Sequence, residues 1–410
     1  MGSLGDLHPM IALAIELSKR GNVPVINTWE GYREKVQDLG FKFHPLRPNI
    51  DTDDKKLGRR VMDARTGPEV IIKELIMPAL ADMYEDLSAA CTGADLLISG
   101  EIVFVAGTLA EKTGIKWIST SLAPLSMFSS HDPNVYPTAQ WIEYLRPMPA
   151  AFHELLLSFM KWTLSDWFEP FKKFRRDHGL RDDLDPLFKD KYSSLLHLAM
   201  FSKVLGKPQP DWHSPTLQTG FCFYDESGRT ELDQRLAEFL ANGEPPLVFT
   251  LGSAAVMDAR DFFEQSARAA KLLGRRAVLL YGNDNPPPKG LDEKVVGFEF
   301  APYSLVFPHA ECVVHQGGVG TTSQALRAGV PQLIMPFSHD QPDNAVRCRR
   351  AGVAEIIDRD SYTAETAAAA LRAILQNPKY RENAQPLKQI IDAENGTRIA
   401  CDAVEDVLRK

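Results

Sequence analysis

Residues 313–331 hold the feature that most restricts the fold. Val313 and Val314 begin a β-branched run, Gly317-Gly318-Val319-Gly320 follow, and a helix-spaced segment at 321–328 ends at Gly329 and Pro331. A strand that turns through glycines straight into a helix is a βα unit, and its next strand runs parallel to it. The same alternation recurs along the chain. Short apolar runs at 23–27, 41–46, 95–99, 115–119, 247–251, 277–281, 311–314 and 332–335 are separated by helical patterns. This predicts an α/β fold: two Rossmann-like domains, their parallel sheets facing across a cleft. The first domain is expected at 1–205, a proline-rich linker at 206–216, and the second domain at 217–385. A helical tail at 386–410 is expected to pack back toward the first domain.

Two stretches depart from the alternation. Gly2-Ser3-Leu4-Gly5 opens directly into a helix at 10–20 that Gly21 ends. Such loops normally follow a buried strand, and none is legible before this one, so the first strand of this half is expected to be missing. Between 122 and 177 the chain is long and aromatic-rich, with Phe128, Trp141, Tyr144, Phe152, Phe159, Trp162, Trp167 and Phe168. Most of these are expected to pack inward and a few to line a pocket.

Composition excludes several classes. With 44% hydrophobic and 24% charged residues the chain is globular, and its net charge of -8 gives it no general attraction for nucleic acid. Cys91, Cys222, Cys312, Cys348 and Cys401 are scattered and odd in number, which fits a reducing cytoplasm better than a disulfide framework or zinc site. No run reaches the ~18 apolar residues of a membrane span, and no signal peptide is read at the start. Peripheral membrane contact stays compatible with the sequence. Asp51-Thr52-Asp53 spells an acidic metal motif but sits in a charged loop, and reads as a solvated charge run.

The chemistry concentrates in two loops. First amides of a helix lack partners within it and lie at its positive end, so the glycine turn after 314 suits a pyrophosphate. His315 could add a charge-assisted hydrogen bond to phosphate, and Thr321 a hydroxyl. The loop after 335 contains Asp340-Gln341, an acceptor beside an amide, suited to sugar hydroxyls. Alone, His315 would read as a core histidine; the glycines and the Asp340-Gln341 pair turn the balance.

The pattern HxGGxGTxxxALxxGVPQLxxPxxxDQxxNA, from about 300 to 345, resembles the donor-binding signature of GT-B glycosyltransferases of the family 1 type. That group includes sterol, rhamnolipid, macrolide, glycopeptide and plant secondary-metabolite enzymes. Gly2-Ser3-Leu4-Gly5-Asp6-Leu7-His8-Pro9 resembles the family's acceptor loop. The resemblance implies an inverting, metal-free transfer from a UDP- or dTDP-sugar to a hydroxyl of a small, largely apolar acceptor, with no cofactor. It implies that His315, Gly317, Gly318, Gly320, Thr321 and Ser253 hold the diphosphate and that Asp340 and Gln341 hold the sugar. Phe300 and Ala301 then stand at the nucleobase. Many UDP-using relatives carry a ribose-gripping glutamate where this chain has Ser323. The catalytic histidine of plant and macrolide members is replaced by Asp6, with His8 two residues on; either could be the general base. Glu101 matches a carboxylate that orients the base in some relatives, here paired with His8. Phe128 and His131 are the expected acceptor lining.

Blander readings accompany these. Asp6 also suits a helix cap, Glu101 a solvated loop, and Ser253 ordinary turn chemistry. Gly318-Val319-Gly320 with Asp340 about 20 residues on partly fits a dinucleotide-binding oxidoreductase, but Ser323 stands where the third glycine is due. A non-catalytic nucleotide-sugar binder, or an epimerase, would use the same fold.

Overall fold

Twelve short strands, every one paired in parallel, form three sheets among the described residues of this computed structural model, which are 2–50, 54–225, 231–283 and 285–410. Asp51-Thr52-Asp53 lies outside them. The second half carries six strands: β7 (Leu247–Thr250), β8 (Ala277–Leu280), β9 (Val295–Phe298), β10 (Cys312–His315), β11 (Gln332–Ile334) and β12 (Ala354–Ile356), in the order β12-β11-β10-β7-β8-β9. Helices cover both faces of such a sheet, which is why β7, β8 and β10 read as continuous apolar runs and are buried throughout. The chain starts at β7 in the middle, runs outward to β9, then crosses back to β10. That reversal opens a crevice at the carboxyl ends of β7 and β10.

The first half is built from β1 (Val25–Thr28), β2 (Lys42–Pro45), β3 (Leu96–Ser99), β4 (Lys116–Ser121), β5 (Leu196–Ala199) and β6 (Thr216–Gln218). Instead of one sheet they form two, β1-β2 and β3-β4-β5-β6. No strand precedes the first helix, Leu4–Lys19, among the described residues. The expected boundary is corrected: β6 pairs in register with β5, so the proline-rich 206–216 segment is a connection inside the first domain. The chain passes to the second domain only after Gln218.

The expected tail is two helices, Lys379–Ala393 and Gly396–Arg409. Asn395 caps the second, its side chain accepting the Arg398 amide. That second helix does cross back. Ala400, Cys401, Val404 and Val407 pack with Ala12, Leu13 and Leu17 of the first helix. Burying each valine contributes roughly 1.5–3 kcal/mol. Arg20 adds pairs to Asp402 at 2.7 Å and Glu405 at 3.3 Å.

The aromatic stretch corrects another expectation. Trp141, Tyr144, Phe159 and Trp162 are 52–85% exposed, while Phe168 is buried. Leu155, Phe159 and Trp162 recur at i, i+4 and i+7 on helix Ala150–Leu164, so one outward face carries them together. No described helix is long and apolar enough to cross a membrane.

Candidate active site

The crevice is framed by backbone conformations that only glycine adopts readily. Gly252, just after β7, has φ +64°, and Gly317, after β10, has φ +88°. A β-carbon on Gly252 would lie 2.3 Å from the Gln316 side-chain nitrogen. Gly318 caps helix Val319–Ala328, whose first amides face the crevice. The Val319 amide already has an acceptor, Asp340 Oδ2 at 3.2 Å. Thr321 is buried beside them and accepts from Gln316 Nε2 at 3.4 Å. Ser253 is exposed at the carboxyl end of β7. The turn thus groups Gly317, Gly318, Gly320 and Thr321, and Gly252 beside it places Ser253 at the neighbouring strand end.

His315 is placed differently from the expectation. It is fully buried, its Nδ1 accepts the Gly317 amide at 3.0 Å, and its Nε2 meets Gln332 Oε1 at 2.9 Å. Those partners fix the neutral tautomer with the proton on Nε2. Burial lowers its pKa to about 4. A neutral ring with both nitrogens engaged shapes the turn and carries no charge to a phosphate.

The sugar pair also divides. Asp340 Oδ2 accepts from Val319 and, at 2.7 Å, from Asn344 Nδ2. Gln341 turns inward, its Oε1 taking the Phe337 and Ser338 amides at 2.8 and 3.3 Å. Its carbonyl end therefore braces the loop, correcting its assignment as an open sugar contact. Phe300 is 41% exposed, as a stacking surface requires, whereas Ala301 is buried in the core with Val306 and Phe307. Ala301 is thus corrected to packing. Ser323 Oγ donates to the Gly320 carbonyl at 2.8 Å and is buried, so its hydroxyl is spent inside the helix.

On the opposite wall, Asp6 belongs to a capping box. Ser3 Oγ accepts the Gly5 amide at 3.2 Å, and Asp6 Oδ2 accepts the Ser3 amide at 2.7 Å. Cap and base are compatible roles, since the second carboxylate oxygen is not used in this box. Burial raises the Asp6 pKa above its ordinary value. His8 lies edge-on to Tyr224, ring centroids 5.1 Å apart. Glu101, expected to orient His8, instead takes Lys191 Nζ at 3.2 Å. Lys191 is a buried cation that the sequence did not flag; it also donates to the Ser126 carbonyl and lies over the Phe128 ring at 4.8 Å. Phe128 is half-buried against Phe188, but His131 is exposed, which corrects its assignment to the pocket lining.

The two walls meet. A β-carbon on Gly320 would sit 3.9 Å from Gly5 Cα, so the glycine loops of the two domains face each other directly. Burial, with the charge of Asp6 in support, raises the Asp340 pKa to about 7. The folded carboxyl therefore keeps its proton where the unfolded one, at 3.8, has lost it. Its favourable contribution is complete below the unfolded value and is lost as pH rises through about 7. Asp340→Asn removes the charge and keeps an acceptor oxygen. Its melting temperature should exceed wild type at pH 8, with the gain shrinking toward pH 4; equal gains at both pH values would contradict the assignment.

Comparison with known proteins supports the fold. The family model for the C-terminal domain of erythromycin biosynthesis protein CIII-like proteins matches residues 279–403. The chain is 29% identical to the O-mycaminosyltylonolide 6-deoxyallosyltransferase of Streptomyces fradiae, covering 99% of this chain and 96% of that one. It is 24% identical to a sterol 3-beta-glucosyltransferase of Arabidopsis thaliana across 98% of its own length, spanning 66% of that protein. Of the larger sterol 3-beta-glucosyltransferase of Leptosphaeria maculans it spans 28%, at 25% identity. Among solved structures it is similar to the glycotransferase of kitacinnamycin, with TM-score 0.71 and 21% identity over 98% of this chain and 96% of that one. A spinosyn rhamnosyltransferase complexed with thymidine diphosphate gives TM-score 0.67 and 16% identity over 98% and 97%.

Proposed function

We infer that this chain, a GT-B glycosyltransferase of the family 1 type, moves a hexose from a dTDP- or UDP-sugar to a hydroxyl of a small, largely apolar acceptor of the polyketide or sterol class. The observation that supports this reading best is the meeting of the two glycine loops at Gly5 and Gly320, with Asp6 next to Gly5 on one side and the helix-opening turn on the other. Asp6 takes the acceptor proton as the oxygen attacks the anomeric carbon. The new C–O bond forms on the face opposite the nucleotide, the bond to the diphosphate oxygen breaks, and the sugar inverts. Negative charge builds on the leaving diphosphate. The amides of Gly318, Gly320 and Thr321 receive it at the positive end of their helix, a role that requires no metal. Asp340 holds sugar hydroxyls and Phe300 stacks the base. Relatives of this chain named for macrolide-type and sterol acceptors support the acceptor class. The internally bonded Ser323 hydroxyl, standing where many UDP-using relatives carry a ribose-gripping glutamate, supports a deoxyribose donor. Five free cysteines suit the cytoplasm.

Thermal denaturation with dTDP, UDP, GDP and NAD tests the donor assignment, because ligands that bind only the folded state raise the midpoint by mass action. dTDP should give the largest shift, UDP a smaller one, and NAD none. A shift with NAD alone would overturn the reading in favour of a dinucleotide enzyme.

A further inference from the structure

Helix Gln341–Arg350 begins at the sugar-binding loop, and the side of it turned away from the crevice carries charges into the domain interface. The side chains of Asp343 and Arg347 are 0% and 4% exposed. Arg347 Nε donates to Asp343 at 2.7 Å, but its other nitrogens reach only first-domain groups. They donate to Asp132, to Asn134 Oδ1 at 3.1 Å and to the Leu205 carbonyl at 3.0 Å. The remaining oxygen of Asp343 accepts the Val135 amide at 2.9 Å. One turn on, Arg350 Nε donates to Glu143 at 3.0 Å. The partner loop, 128–135, is the one that presents Phe128, and Ser129 and Ser130 anchor its start to Asp211. Next to Asp343, Asn344 Nδ2 binds the Gly317 carbonyl at 2.9 Å and Asp340 at 2.7 Å.

We propose that Arg347 is a positioning residue: with Asp132 it latches the acceptor-side loop 128–135 to the helix that holds Asp340 and Gly317, so that the donor site is aligned for transfer only when that loop is seated. A planar guanidinium with four acceptors from two domains reads loop position in a way a lysine cannot. Removing Arg347 leaves Asp343, whose side chain is fully buried, without the cation it pairs with at 2.7 Å, so the contacts across the interface form and break together. The proposal rests on the transferase reading above for its consequence, and on the interface geometry for its existence.

The test uses the full chain with Arg347→Lys, Asp132→Asn and the double variant, each checked for folding by melting temperature. Two rates are measured: sugar transfer to an apolar acceptor and acceptor-independent hydrolysis of the nucleotide sugar. The latch predicts a transfer-to-hydrolysis ratio at least about tenfold lower in each single variant. The double variant should be no worse than either single one, as expected of residues acting together. Equal loss of both rates, or losses that multiply in the double variant, would overturn it. Amide exchange of 131–136 in the ligand-free chain gives a readout that needs no turnover. Faster exchange in Arg347→Lys or Asp132→Asn supports the latch, and unchanged exchange in both overturns it. A wild-type chain that neither transfers nor hydrolyses refutes the transferase reading, and the exchange result then decides the latch alone. Should Arg347→Lys fail to fold, Asp132→Asn carries both measurements.

Discussion

Asp6→Asn should lower kcat for transfer by about 10²- to 10⁴-fold, the range a general base contributes, while leaving nucleoside-diphosphate binding unchanged. The amide keeps an oxygen for the Ser3 amide, which Asp6 bonds at 2.7 Å, so the capping box and the first helix persist. What it loses is the capacity to take a proton. Burial raises the Asp6 pKa above its usual 3.8, so the wild-type rate should fall on acidification at a pH above that of an ordinary aspartate. The sign follows from the ionised form being the base: protonation removes activity. Steady-state rates across pH check both statements. A fully active Asp6→Asn beside an inactive His8→Ala would transfer the role to His8.

Gly317→Ala should abolish the thermal shift given by dTDP or UDP. Its φ of +88° is a region an alanine enters at a cost of about 1–2 kcal/mol. The new methyl carbon would also fall 2.9 Å from Ile334 Cγ2 and 3.0 Å from the Gln341 carbonyl. A backbone carbonyl in the sugar-side helix cannot give way as a flexible side chain can. The turn must therefore move, and its amides move with it; each 1.4 kcal/mol lost is about tenfold in affinity. Gly274→Ala is the matched control. That residue has φ +65° but no atom within 4 Å of an added β-carbon. It should lose stability yet bind nucleotide as wild type does. Retained binding in Gly317→Ala would show that the ligand does not use this turn.

The contrast between these glycines shows what a sequence can carry. Short-range patterns were legible: β10, its glycine turn and its helix follow from β-branched residues, consecutive glycines and a cap. The crevice followed from the order in which such units repeat. Side-chain direction was not legible. Nothing local announces that His315 is enclosed between Gly317 and Gln332, that Gln341 bends back on Phe337, or that Ala301 belongs to the core. Nor does helical spacing say which face of 150–164 is buried; Phe159 and Trp162 looked like core and face outward. Arg347 and Asp343 form an ordinary i, i+4 pair in the sequence. Only the approach of 132–135 from the other domain makes them buried. The expected domain boundary at 216/217 falls too early for the same reason, since β6 is recognised only by its pairing with β5 across the proline-rich connection.

The most direct measurement incubates the chain with a dTDP- or UDP-hexose and an apolar, hydroxyl-bearing acceptor, following the acceptor by mass spectrometry and the released nucleoside diphosphate by chromatography. The account predicts that the acceptor gains one sugar, that one nucleoside diphosphate appears for each sugar transferred, and that Asp6→Asn stops both. Tight nucleotide-sugar binding with neither transfer nor hydrolysis, across sterol and polyketide acceptors alike, would contradict it and leave a binding protein on a transferase fold.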